Sequence, residues 1–203
     1  MKTGKRRFGY ALIQFLVRMY YRFLYGVKVY GMENVPMEGA VIVACNHRTL
    51  SEPPMVGAFT PREMFYAAKQ QLFAFPLGII MRYVNGIPIR RTGSDKEAIK
   101  ALSAALKEDK AVLIFPEGTR TLNPDDAQIK AGVGMLAVMG NADVLPVRVD
   151  GTGQPLHSFF HRGNMTITYG KVVRLSEIMD GELSRREAYH LIAQRVMSHI
   201  RAL

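Results

Sequence analysis

The sequence predicts an α/β fold: a single domain with a mixed, mostly parallel sheet flanked by helices, preceded by an amphipathic helix at a membrane interface. Three observations lead there. Residues 40–45 and 111–115 are short, apolar and rich in β-branched side chains, the composition of buried strands rather than helices. Strand-like and helix-period segments alternate along most of the chain, the order that builds a sheet with covering helices. A chain of 203 residues is long enough for one domain with a real core.

The totals narrow the partners. Lys and Arg number 27 against 17 acidic residues, a formal charge of +10, which favours an anionic partner: a phospholipid surface, a phosphorylated substrate or nucleic acid. Nucleic acid is the weakest of these, because the aromatic residues cluster in apolar stretches rather than among the basic ones and no binding module is recognisable. The single cysteine, Cys45, excludes an intrachain disulfide framework and a cysteine zinc cluster, and suits a reducing, cytoplasmic setting.

In chain order, residues 8–27 are dense in aromatic and aliphatic side chains, with Gln14, Arg18 and Arg22 interrupting at helical spacing and extending a polar stripe from Arg7. No uninterrupted apolar run is long enough to span a bilayer. The pattern predicts a helix over 1–27 lying in the interface, aromatic face in lipid, with Lys2, Lys5, Arg6 and Arg7 against anionic headgroups. The same stripe also fits an ordinary helix docked on the core. The remaining residues, 28–203, form the α/β domain.

Residues 27–31 read as a short strand and 33–39 as a loop. The strand over 40–45 follows, ending at His47. Pro53 and Pro54 suit the first turn of a helix, which puts Glu52 at that helix's start. Residues 63–68 read as a strand and 70–83 as an apolar helix kinked or broken at Pro76 and Gly78. Its Phe73, Phe75, Leu77, Ile79, Ile80 and Met81 line either an alkyl groove or the core. Residues 85–91 enter a strand ending in arginines, and 95–109 form a helix with Ile99, Leu102, Ala105 and Leu106 on one face. The strand over 111–115 ends at Pro116, Glu117, Gly118, Thr119 and Arg120. A small-residue helix over 130–140 comes next. Pro146 within the strand over 143–149 argues for an edge or a bulge. His157 and His161 have metal-ligand spacing, but Gly153 and Pro155 suggest an exposed loop without further ligands. A strand over 165–169 and a closing amphipathic helix over 184–203, with His190 and His199 solvated, finish the chain.

The chemistry gathers at strand ends. His47 and Glu52 lie five apart, too far around a single helix to meet, but across a strand end, loop and helix start they can converge. A carboxylate on one imidazole nitrogen fixes the tautomer and stabilises the imidazolium, making a general base for an incoming hydroxyl. Thr49 and Glu52 alternatively match a capping box. Arg91 and the run Glu117 to Arg120 follow other strand ends, where ligands of open α/β sheets collect, and with Lys130 close behind in sequence they add the cations Arg91, Arg120 and Lys130. A base with several cations suits an acceptor carrying both a hydroxyl and a phosphate. Cys45, inside an apolar run, reads as inert core rather than as a nucleophile.

Four ordered motifs resemble the glycerolipid acyltransferase family, closest to its bacterial 1-acylglycerol-3-phosphate branch. They are Asn46-His47 with an acidic residue at 52; residues 86–91 ending at Arg91; Phe115-Pro116-Glu117-Gly118-Thr119-Arg120; and Leu145-Pro146-Val147. Position 52 departs from the family pattern, carrying Glu where the family has Asp. The resemblance implies acyl transfer from acyl-CoA or acyl-carrier protein to the sn-2 hydroxyl of lysophosphatidic acid, with no metal or cofactor, at the cytoplasmic face of the membrane. It implies His47 and Glu52 as catalytic residues and Arg91, Glu117, Gly118, Thr119, Arg120 and Lys130 as acceptor-binding ones, Lys130 being suggested by charge. Competing readings are another lysophospholipid acceptor, or a lipid-binding homologue without full turnover because of Glu52.

Overall fold

The computed structural model describes residues 8–89, 96–118, 130–179 and 184–203. Seven strands form one sheet: β1 (Lys28–Tyr30), β2 (Val41–Cys45), β3 (Met64–Lys69), β4 (Gly86–Ile89), β5 (Ala111–Ile114), β6 (Asp143–Asp150) and β7 (Thr166–Tyr169), in the order β1-β7-β6-β2-β5-β3-β4. All neighbours pair parallel except β6 and β7, which are antiparallel. The mixed, mostly parallel sheet is therefore as expected. Eight helices accompany it among the described residues: α1 (Phe8–Tyr25), α2 (Glu52–Phe59), α3 (Leu77–Tyr83), α4 (Lys96–Leu106), α5 (Gly132–Gly140), α6 (Pro155–Phe160), α7 (Ser176–Met179) and α8 (Arg185–Ala202).

β2 runs between β5 and β6 and is buried on both faces, which explains its continuous apolar sequence. Val41, Val43 and Cys45 pack on one side with Met55, Val56 and Phe59 of α2 and Tyr21 of α1. Ile42 and Ala44 pack on the other with Leu102 of α4, Leu136 of α5 and Val196 of α8. Fully burying one such aliphatic side chain is worth roughly 1.5–3 kcal/mol, so this strand contributes strongly to holding the sheet together.

Two expectations need correction. Pro146 lies on neither an edge nor a bulge: β6 is an interior strand, and Pro146 pairs in register with Ala44 of β2. A strand residue sends its N–H and C=O to the same side. The Pro146 carbonyl accepts from the Gly170 amide, just past the end of β7, so the missing N–H also faces that side and the ladder to β2 loses nothing. The expected loop around His157 is instead the short helix α6, with Pro155 in its first turn, where a proline fits well. His157 and His161 are exposed and stack at 4.3 Å. The segment 70–83 is broken as expected, a 3-10 turn over Gln70–Phe73 followed by α3. Phe73 and Met81 are core, whereas Phe75, Leu77, Ile79 and Ile80 are exposed.

The helix α1 docks through Tyr10 and Tyr21 and through Gln14 and Arg18 of its polar stripe, while Arg22 is exposed. The Gln14 side-chain amide donates to the Gly57 and Thr60 carbonyls, both at 2.8 Å, and Arg18 Nε donates to the Ala58 carbonyl at 2.8 Å. These are carbonyls of the last turn and cap of α2, groups a helix leaves unsatisfied. At the other end of α2, the Tyr21 hydroxyl donates to the Ser51 carbonyl. The opposite face of α1 is apolar and open: Phe8 is 82% exposed, Phe15 57% and Phe23 62%. No helix among the described residues is long and apolar enough to cross a membrane.

Candidate active site

The carboxyl ends of β6, β2, β5 and β3 open on one edge of the sheet, and of the side chains singled out above His47, Glu52, Glu117 and Lys130 sit there. Asn46, first residue past β2, is buried and continues the ladder with its side chain: its Nδ2 donates to the Val149 carbonyl and its Oδ1 accepts from the Val149 amide, both at 2.8 Å. That pairing ends the strand with a rigid step and throws the next residue, His47, out beyond the sheet. Its ring stacks on Phe115, just past β5, at a centroid distance of 4.1 Å.

Glu52 opens α2 and is fully buried. Its Oε2 lies 3.0 Å from His47 Nδ1 and accepts from the Thr49 amide at 2.7 Å. Its Oε1 accepts from the Thr49 hydroxyl at 2.9 Å and from the Thr152 hydroxyl. The longer glutamate arm thus reaches the imidazole. The dyad and capping readings of Glu52 hold together in part: it binds the Thr49 amide as a capping box would, while the Thr49 hydroxyl accepts from the Ser51 amide rather than from a helical N3 amide. Burial pushes the Glu52 carboxyl up, but the hydrogen bonds from His47, Thr152 and Thr49 outweigh it and hold the group below the ordinary glutamate range. An ionised carboxylate only accepts, so Nδ1 carries a proton, and in the neutral imidazole the lone pair is then on Nε2. That is the state a general base requires.

The end of β5 is built differently. A tight turn closes with the Gly118 amide on the Phe115 carbonyl at 3.0 Å, and Glu117 is buried within it. Gly118 has φ +67, and a Cβ there would come within 2.8 Å of Lys130 Cδ and Nζ. The left-handed backbone favours glycine there, and the Lys130 side chain lies across it. Lys130, expected from charge alone, is therefore beside this turn, and its amide donates to the Pro116 carbonyl. Arg91, Thr119 and Arg120, like Lys2, Lys5, Arg6 and Arg7, lie outside the described residues.

Sequence reading missed three members of this edge. Thr152 follows β6 and touches Glu52 across 100 residues of chain, which no local pattern signals. Asp150, ending β6, pairs with Arg48 at 3.6 Å and with Arg148 at 2.8 Å, fixing the loop after β2. Lys69 is the last residue of β3, and its place as a cation closing an apolar strand was a signal available beforehand. Cys45 is inert as expected: burial pushes its thiol well up, and the carboxylates of Glu52, Glu117 and Asp150 push further. Among the described residues, no group of three or more His, Cys, Asp and Glu side chains could hold a metal ion.

Residues 26–150 match the Acyltransferase family. A Bacillus subtilis protein named 1-acyl-sn-glycerol-3-phosphate acyltransferase is 33% identical over 150 residues, covering 72% of this chain and 73% of that one. A Saccharomyces cerevisiae protein of the same name is 31% identical over 151 residues, 70% of this chain but 49% of its own length. The crystal structure of the 1-acyl-sn-glycerophosphate (LPA) acyltransferase of Thermotoga maritima superposes with a TM-score of 0.70 at 25% identity, covering 96% of this chain and 80% of that one.

Proposed function

We propose, from the premise that this chain belongs to the Acyltransferase family, that it transfers an acyl group from acyl-CoA or acyl-carrier protein to the sn-2 hydroxyl of 1-acylglycerol-3-phosphate, giving phosphatidic acid. The observation that carries this reading is the 3.0 Å pair of His47 Nδ1 with an ionised, buried Glu52, which leaves Nε2 free to accept a proton.

In the reaction, His47 Nε2 takes the acceptor's hydroxyl proton as the oxygen attacks the thioester carbonyl. Glu52 stabilises the imidazolium. The tetrahedral intermediate collapses by expelling the thiolate, which takes the proton back from His47, so the products are phosphatidic acid and the free thiol. Every proton is accounted for by His47 alone, and the step requires no cofactor. Lys130, beside the turn that carries Gly118 next to the stacked His47 and Phe115, suits a phosphate on the acceptor as a cation, and Gly118 belongs to the same proposed acceptor site. Glu117, Arg91, Thr119 and Arg120 complete the proposed acceptor site. The outward apolar face of α1 supports peripheral binding at a membrane, which this reading places at the cytoplasmic face. A further support is charge: residues 8–32, 64–94 and 151–176, which carry most of the exposed apolar side chains, contain no Asp or Glu.

The test is product formation. Purified protein given lysophosphatidic acid and a panel of acyl donors should yield phosphatidic acid by lipid mass spectrometry. His47→Ala should lower the rate about a hundredfold to ten-thousandfold, the range expected for loss of a general base. Equal rates for the two proteins would end the base assignment.

A further inference from the structure

We propose that Thr152 is a positioning residue for the His47–Glu52 pair, and that glutamate stands at position 52 because its reach lets the ends of β2 and β6 hold one carboxylate between them. The inference rests on the proposed role of His47 as base.

The four donors to Glu52 divide unequally. His47 and the two groups of Thr49 belong to the loop that leads into α2, so they move when that loop moves. Thr152 comes from the other side, on the turn after β6. Its own placement is firm: it is buried, Gly151 before it turns the chain at φ +82, and the Ser158 hydroxyl donates to the Gly151 carbonyl at 2.8 Å. A Cβ at Gly151 would collide with the Asn164 carbonyl oxygen, so glycine lets the turn pack this closely. The hydroxyl is therefore held in place before it meets the carboxylate, and it fixes Oε1 while Oε2 orients the imidazole.

Aspartate at position 52 would draw the carboxylate back by one carbon–carbon bond, about 1.5 Å. It could not then meet both the Thr152 hydroxyl and the imidazole. A displacement of about 1 Å in such a group can lower a rate on the order of a hundredfold. The family's usual residue should accordingly be worse in this chain than the one it has. The loss of the Thr152 donor should also leave burial less opposed, so that Glu52 takes up a proton at higher pH.

The experiment is steady-state kinetics on the full chain with lysophosphatidic acid and its best acyl donor. The variants are Thr152→Val, Thr152→Ser, Glu52→Asp, Glu52→Asp with Thr152→Val, and His47→Ala. Thr152→Val should lower kcat about tenfold to a hundredfold, leave both KM values unchanged and move the acid limb of the pH profile upward. Thr152→Ser should restore most of kcat. Glu52→Asp should also lower kcat, and adding Thr152→Val to it should do little more, since the shortened carboxylate no longer uses that hydroxyl. A purely structural role would not produce the pH shift or this non-additivity. If Thr152→Val does not fold, Thr152→Ala carries the same comparison. Wild-type kcat and an unmoved acid limb in Thr152→Val, while His47→Ala is inactive, would overturn this inference alone. Glu52→Asp exceeding wild type would do the same. Wild-type turnover in His47→Ala would remove the base role and this inference together.

Discussion

The first and last helices, α1 and α8, are each 18 residues long, and they wear opposite coats. α8 buries Ala188, Ile192, Val196 and Ile200 and exposes Arg185, Arg186, His190, Gln194, Arg195 and His199. α1 buries Gln14 and turns Arg18 onto a backbone carbonyl, and it exposes Phe8, Leu12, Phe15, Leu16 and Phe23. The first arrangement suits water outside and an apolar core inside. In the second, hydrogen bonds from Gln14 and Arg18 join buried Tyr10 and Tyr21 in holding the inner face, and the outer face is largely apolar. The lesson is that a polar stripe does not mark the solvent side of a helix when the facing surface is a row of helix-end carbonyls.

Substitutions on the two helices separate these roles. The largest effect on stability should come from Val196→Asp, which places a carboxylate in the core side of α8 and should destabilise the fold by about 3–5 kcal/mol in a denaturant titration. Gln14→Leu makes α1 look more like a helix meant for a core, yet it should destabilise by about 1–3 kcal/mol, because the Gly57 and Thr60 carbonyls lose their donor. A neutral result would mean that water replaces the amide without loss. The smallest effect belongs to Phe15→Ser combined with Phe23→Ser, within about 0.5 kcal/mol of wild type. That variant should nonetheless lose co-sedimentation with vesicles containing anionic lipid. Unchanged vesicle binding would place the lipid contact elsewhere and leave the outer face of α1 without its assigned role.

Much of the fold was legible because burial on both faces leaves a plain trace. β2 and β5 appear in the sequence as apolar runs, and their ends point directly to His47 and to Glu117 with Gly118. α8 was legible from its period, and its capping box of Ser184 and Glu187 marks its start. The direction in which α1 faces was not legible, since periodicity gives two faces without saying which one meets the protein. The place of Pro146 was hidden for a related reason: its tolerance depends on where β7 stops, not on anything within β6. In the candidate site, spacing allowed the pair of His47 with Glu52 beside a capping box, the ordered motifs favoured the pair, and Lys130 came from charge. Thr152 was beyond reach, because its contact with Glu52 exists only once β6 has been laid beside β2.

The docking of α1 also bears on the order in which the molecule is made. Gln14 finds its acceptors 43 and 46 residues farther along the chain. During synthesis the aromatic face of α1 therefore emerges well before the carbonyls that secure its other side. A nascent chain in that interval has an apolar surface and no core to place it against, so a bilayer or a chaperone is the first partner that chemistry offers it. On the proposed lipid contact of α1, that contact would be available to the chain before the carbonyls of α2 are.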